Sequence, residues 1–119
     1  MNVTVIAKPK VKSEVLDVLA KELPVIISDF LEVPGGHMAL LKPEQVSLEF
    51  SQASIRDLGS DIRIKILASI NEPRLSTKHT LTRSILEKVV SLISKFSEEY
   101  SVDIRMYLME IGVAEQSVG

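Results

Sequence analysis

Residues 61–70 read Asp61-Ile62-Arg63-Ile64-Lys65-Ile66-Leu67-Ala68-Ser69-Ile70, and this decade decides the fold. Ile62, Ile64, Ile66, Ala68 and Ile70 fall on one side of a period-two pattern, with Arg63, Lys65 and Ser69 on the other. That alternation is a strand with one buried face. Asn71-Glu72-Pro73-Arg74 reads as a turn, and Ser76 or Thr77 as the cap of a long helix. Leu81, Ile85, Leu86, Val89, Val90, Leu92, Ile93 and Phe96 give that helix an apolar stripe wide enough to cover a sheet. A second alternating run follows. Val102, Ile104, Met106 and Leu108 face one way, and Asp103, Arg105 and Tyr107 the other.

Working back from this unit, the first half repeats its plan. Asn2 to Lys8 alternates around Val3, Val5 and Ala7. Lys8-Pro9-Lys10-Val11-Lys12 breaks the strand, and Ser13 is the cap candidate for a helix with Glu14 and Asp17 in its first turn. Val15, Leu16, Val18, Leu19 and Leu23 form its stripe, which continues beyond Pro24 at Val25, Ile26, Ile27, Phe30 and Leu31. Proline predicts either a kinked helix or two abutting ones. Val33-Pro34-Gly35-Gly36-His37 is a turn by composition. Gln45 to Ser51 alternates again, with Val46, Leu48 and Phe50 on the core side.

The order is therefore strand, helix, strand, twice over. The expected class is α+β: two β-α-β repeats forming a four-stranded mixed sheet with two helices on one face. The uncovered face would carry Thr4, Ile6, Ser47, Glu49, Arg63, Lys65, Leu67, Asp103, Arg105, Tyr107 and Met109. It is more apolar than a purely solvated surface, which predicts an oligomer that uses it. One domain is expected over residues 1–111, with a loosely held tail over 112–119.

Composition narrows the function classes. The chain has 119 residues, 45% of them apolar and 25% charged, enough for one packed core. A net charge of -2, with three Phe, two Tyr and no Trp, argues against a nucleic-acid binder. The absence of cysteine removes disulfides, thiolate metal sites and cysteine nucleophiles together. No signal-peptide pattern opens the chain, and no apolar run approaches the roughly 20 residues that span a bilayer. A cytoplasmic protein with no membrane partner is expected.

Two architectures share this element order: the ferredoxin-like sandwich and the tautomerase fold. Lys42-Pro43-Glu44-Gln45-Val46-Ser47-Leu48-Glu49-Phe50 resembles the proline-led entry to the second strand of the tautomerase superfamily. Ile64-Lys65-Ile66-Leu67-Ala68 with the helix from Ser76 resembles the strand and helix of its second repeat. Val102 to Ile111, with Glu110 near its end, resembles its closing strand. The resemblance, to macrophage migration inhibitory factor and 5-carboxymethyl-2-hydroxymuconate isomerase, covers Met1 to about Ile111. It implies a homotrimer with sites between neighbouring subunits. It also implies an amino-terminal proline that shuttles a proton between carbon and oxygen of a keto or enol acid, and cations that hold the substrate carboxylate.

In this sequence Asn2 stands where that proline is expected, and a bulky second residue predicts that Met1 is retained. An amide nitrogen is not a base. The resemblance places Arg105 and Tyr107 toward a neighbour's pocket, as carboxylate clamp and hydrogen-bond donor; Arg63 and Lys65 share that face. The alternative for these residues is surface pairing, Arg105 with Glu49 or Asp103 with Lys65. Lys8, Lys10 and Lys12 either draw anions to a pocket mouth or form a solvated loop. His37 and His79 stand in separate segments and do not converge as metal ligands must. Gly35-Gly36 lacks the flanking residues of a phosphate loop, and no Ser-His-Asp set emerges from spacing. No metal or cofactor is expected. The first expectation is thus a tautomerase-like homotrimer without the proline mechanism, either binding a small carboxylate or acting only as a structural or interaction protein. The rivals are an active isomerase with another base and a ferredoxin-like metabolite-binding module.

Overall fold

The structure, a computed structural model, describes residues 1–31 and 42–119. Its elements are strand β1 (Asn2–Ala7), helix α1 (Ser13–Leu31), a 3-10 turn (Pro43–Gln45), strands β2 (Ser47–Gln52) and β3 (Ile62–Ser69), helix α2 (Glu72–Ile93) and strand β4 (Val102–Met109). The turn expected over residues 33–37, with His37, lies outside the described residues. The sheet order is β2-β1-β3-β4. β1 runs parallel to β2, β3 runs parallel to β4, and the two pairs join antiparallel through β1 and β3. In each half the strands flanking a helix are therefore direct neighbours. A ferredoxin-like sheet splits that unit with a strand from elsewhere, so the ferredoxin-like alternative does not describe this chain.

The core follows the sequence pattern closely at the sheet centre. Val3, Val5, Ile62, Ile64, Ile66 and Ala68 are all buried, and Leu19, Leu23, Ile27, Ile85 and Val89 meet them from the helices. The pattern weakens at the edges. Phe50, on the core side of the pattern, is 39% exposed because β2 is an edge strand; it borders a hollow with Val11 and with Leu16 of α1. Ile70 and Val90, expected on buried faces, are exposed. The residues after Met109 carry no regular secondary structure and are exposed.

Of the two paths open at Pro24 the chain takes the single helix, and Pro73 departs from the expected turn. Pro24 lies inside α1, which continues as one helix to Leu31. An internal proline costs about 3 kcal/mol. Burying Leu19, Leu23, Ile26 and Ile27 on one face is worth about 1.5–3 kcal/mol each, so packing wins. Pro73 begins a helix instead of breaking a turn. Asn71 is the true cap: its Oδ1 accepts from the Arg74 amide at 2.9 Å. Proline is tolerated in the first turn because its missing amide proton would be unpartnered there. Ser76 and Thr77, expected as caps, lie in the next turn and bond back to the Pro73 carbonyl.

Asp61 ties three loops together. Its backbone carbonyl accepts from Lys8 N at 2.9 Å, and its Oδ2 accepts from the Ser101 amide at 2.9 Å. Lys10 Nζ lies 3.1 Å from Oδ2 and Lys8 Nζ 3.7 Å from Oδ1. Burial pushes the carboxyl pKa up, but the Ser101 amide and Lys10 outweigh it and hold it below the usual carboxylate value. This clasp fixes the loop between β1 and α1 against the entries to β3 and β4.

Two stability predictions follow from the pleat and the clasp. Ile64→Ala should cost about 2–5 kcal/mol as a buried large-to-small change, and Lys65→Ala, one residue on, less than about 0.5 kcal/mol. Urea denaturation of both variants checks the register. Asp61→Asn should cost about 1–3 kcal/mol at pH 7. A lowered folded pKa contributes stability above the unfolded value of about 3.9, lost as pH falls through the folded one. The gap between Asp61→Asn and the natural protein should therefore close below about pH 4, as denaturation curves at pH 7 and pH 3 will show.

Candidate functional site

The two helices leave one face of the sheet uncovered, and the strand register arranges that face in rows. Ser47, Asn2, Leu67 and Tyr107 form the first row across β2, β1, β3 and β4. Glu49, Thr4, Lys65 and Arg105 form the second. Ser51, Ile6, Arg63 and Asp103 form the third. Neighbouring strands lie about 4.8 Å apart, so Asn2 and Tyr107 stand roughly 10 Å apart along their row.

Four residues singled out in the sequence come together here. Arg63, Lys65, Arg105 and Tyr107 line one depression of about 240 Å³, with Gly59 and Asp103 at its walls. Their charges are not equivalent. Arg63 Nη2 bonds Asp57 Oδ2 at 2.6 Å, and Asp57 Oδ1 accepts from the Gly59 amide at 2.8 Å. The Gly59 amide and then Arg63 hold the Asp57 carboxyl below its usual pKa. A Cβ on residue 59 would sit 3.0 Å from the Arg63 side chain, so the glycine leaves room for the guanidinium. Arg63 is thereby committed to the wall of the depression.

Arg105 Nε lies 3.4 Å from Asp103 Oδ2. The nearby Asp103 charge, with the Tyr107 hydroxyl, raises the Arg105 pKa further above its ordinary value. Lys65 is exposed and, among the described residues, has no ion-pair partner. The surface pairs considered from the sequence do not form. Arg105 pairs along its own strand with Asp103, and Glu49 accepts from Thr4 Oγ1 at 2.8 Å. The depression thus presents one unpaired cation, one guanidinium shared with a carboxylate, and a phenol. That set suits a carboxylate ligand by charge-assisted hydrogen bonding.

The head of β1 forms a separate hollow of about 280 Å³ lined by Asn2, Thr4, Ser47, Glu49 and Leu67. Leu67 lies between Asn2 and Tyr107 in the row, so the hollow adjoins the depression without merging with it. Met1 packs its side chain against the core on the opposite face, and its carbonyl accepts from the Ser47 amide at 2.9 Å. Glu49 is the ionisable side chain in this hollow.

The lysines before α1 do not form an anion funnel. Lys8 and Lys10 serve Asp61, and Lys12 pairs with Glu98. His79 is exposed on α2, within a groove of about 520 Å³ between α2 and β4 that the sequence reading missed. Its signal was the spacing of Lys78 with Thr82 and of His79 with Arg83, each one helical turn apart. Among the described residues no three of His, Asp and Glu converge as a metal site needs, and no helix is long and apolar enough to cross a membrane.

Neither a family model nor a curated protein matches the sequence. Solved structures do match the fold. A wild-type fused 4-OT, an asymmetric trimer, superposes with a TM-score of 0.68 at 13% identity, over 98% of this chain and 95% of that one. A member of the cis-3-chloroacrylic acid dehalogenase family gives 0.67 at 14%, over 92% and 76%. Malonate semialdehyde decarboxylase, a protein with decarboxylase and hydratase activities, gives 0.58 at 10%, over 100% and 91%. The fold is thus the tautomerase-like α+β arrangement of two repeats.

Proposed function

We propose that this chain is a tautomerase-like homotrimer that holds a small carboxylate on its open sheet face and lacks the proline-based keto-enol mechanism. The observation that carries the reading is the head of β1. Asn2 faces the open side, and Met1 is anchored by its side chain and its carbonyl. The Asn2 nitrogen is a peptide amide, with its lone pair delocalised into the carbonyl. It cannot accept a proton from carbon. The Met1 amine lies one residue further out, beyond a side chain that points to the covered face.

The binding half of the site is intact in this reading. Lys65 and the outward N–H groups of Arg105 attract the carboxylate, and the Tyr107 hydroxyl donates to it. Arg63, fixed by Asp57, shapes the wall instead of gripping the ligand. A neighbouring copy completes the site by covering the apolar parts of the face. The trimers among the structural neighbours support that assembly.

A second reading has a specific observation in its favour. Glu49 lines the Asn2 hollow, and a positioned carboxylate is a competent general base. An isomerase using Glu49 would be active without the proline. Glu49 Oε1 accepts from Thr4 Oγ1 at 2.8 Å, which fixes the position of the carboxylate.

Phenylpyruvate separates these readings. The natural protein should retain Met1 by intact mass, bind phenylpyruvate, and catalyse at most trace tautomerisation. Lys65→Ala and Arg105→Ala should each weaken binding roughly tenfold, about 1.4 kcal/mol. Asn2→Pro should promote loss of Met1 and gain turnover, and Arg105→Ala in that background should remove the gain. Robust turnover by the natural protein that Glu49→Gln abolishes would establish the isomerase reading instead. Unaltered phenylpyruvate binding in both cation variants would overturn the assigned site.

A further inference from the structure

On the carboxylate-binding reading above, on which this rests, we propose that the open-face site takes ligands with a single carboxylate, and that Asp57, by holding Arg63, is the positioning residue that excludes a second one. Charge in and around the depression decides the class. Arg63, Lys65 and Arg105 line it as cations, and Asp103 lines it as an anion. Asp57 lies outside it, with Oδ2 2.6 Å from Arg63 Nη2. Three cations against two carboxylates leave one net positive charge. That charge sits on Lys65, which has no ion-pair partner among the described residues. The register sets Asp103 beside Arg63 on the next strand, and Arg105 beside Lys65. The depression therefore has a cationic end, Lys65 with Arg105, and a compensated end, Arg63 with Asp57 and Asp103. One ligand carboxylate at the first end completes the neutralisation. A second would face Asp57 and Asp103 with no spare cation, and such like-charge placement discriminates against it.

Several contacts fix Arg63 at the compensated end. The loop before β3 turns so that the Asp57 amide donates to the Ser54 carbonyl at 2.9 Å and the Arg56 amide to Ser54 Oγ at 3.2 Å. Asp57 Oδ1 is in turn held by the Gly59 amide, leaving Oδ2 for the guanidinium. Gly59 has no side chain to obstruct it, whereas a Cβ there would sit 3.0 Å from Arg63 Cδ and Nη1. Both charged side chains are largely shielded from solvent, where salt screens their attraction little. The arrangement also leaves a donor unused. Arg63 Nε is buried and has no hydrogen-bond partner among the described residues, an uncommon state for a buried polar group. Turned out into the depression, the same guanidinium would be wetted on every N–H and would add a second free cation to the site. Asp57 thus sets the charge that the ligand meets without touching the ligand.

The probe pair is 3-phenylpropanoate and phenylsuccinate, which differ by one carboxylate on the same carbon frame. Amide chemical shifts of the full-length protein follow both binding and the fold. The natural protein should bind 3-phenylpropanoate, and phenylsuccinate about fivefold more weakly or worse. Asp57→Asn keeps an oxygen for the Gly59 amide and removes the charge. It should bind phenylsuccinate roughly tenfold more tightly than the natural protein does, with 3-phenylpropanoate changed less than about threefold. Asp57→Ser, a residue that turns also favour, should act in the same direction. Arg63→Gln added to Asp57→Asn should remove the gain, which a purely structural loop contact would not predict. Equal or tighter binding of phenylsuccinate by the natural protein would overturn the proposal. So would an unchanged ratio in both Asp57 variants with the fold intact, because Asp57 would then only clasp its loop. Absence of 3-phenylpropanoate binding would sink the carboxylate site itself and this proposal with it. Binding that Lys65→Ala and Arg105→Ala weaken would keep that site standing whichever way the ratio falls, so the two failures are distinct.

Discussion

The antiparallel pairing of β1 with β3 is the constraint on which the rest depends. Val5 pairs with Ile64 and Val3 with Ile66, and none of the four is more than 1% exposed. These side chains seat both helices, so their register is strongly specified. A slip of one residue would turn every isoleucine of β3 outward and bring Arg63 and Lys65 under the helices. Burying two unpaired cations costs several kcal/mol, far beyond what a different pairing could return. The same register places Asn2 beside Leu67 and Thr4 beside Lys65 on the far side. Core and site are thus two faces of one choice.

From that pair outward, control passes from apolar packing to charge. The loops that close the sheet are held by Asp57 and Asp61, each bonded to a backbone amide and to at least one cation. These bonds decide which positive charges remain available. Arg63, Lys8 and Lys10 are spoken for by carboxylates of the framework, whereas Lys65 is not. A count of lysine and arginine would have given all of them the same weight. The open face is consequently less basic than its sequence suggests, and its apolar members weigh more. Leu67, only partly exposed, borders the Asn2 hollow, and Tyr107, 43% exposed, borders the cationic depression.

Much of this was legible in the sequence, for physical reasons that also mark where legibility ends. Period-two runs at residues 62–68 and 102–108 exist because one face is buried, and they located β3, β4 and the four residues of the depression. The Asn71 cap is hidden because Asn71-Glu72-Pro73-Arg74 has the composition of a turn, although a proline in the first turn of a helix has no bond to lose. Pro24 left two paths open because local chemistry counts its cost but not the burial gained on either side. Phe50 shows that alternation reports a face without reporting how completely an edge strand is covered. The Asp61 clasp joins residues 40 positions apart, and no local pattern announces such a contact. The α2 groove needed two elements brought together before its cations became a group.

Copies of the same chain covering the open face would shelter Leu67, Tyr107 and Met109 and complete the proposed carboxylate site. Light scattering on the natural protein at micromolar concentration tests this most directly. A mass three times that of the 13.2 kDa chain is the predicted result. A single-chain mass that persists on concentration would contradict it, leaving the open face exposed to water and the site without its second half.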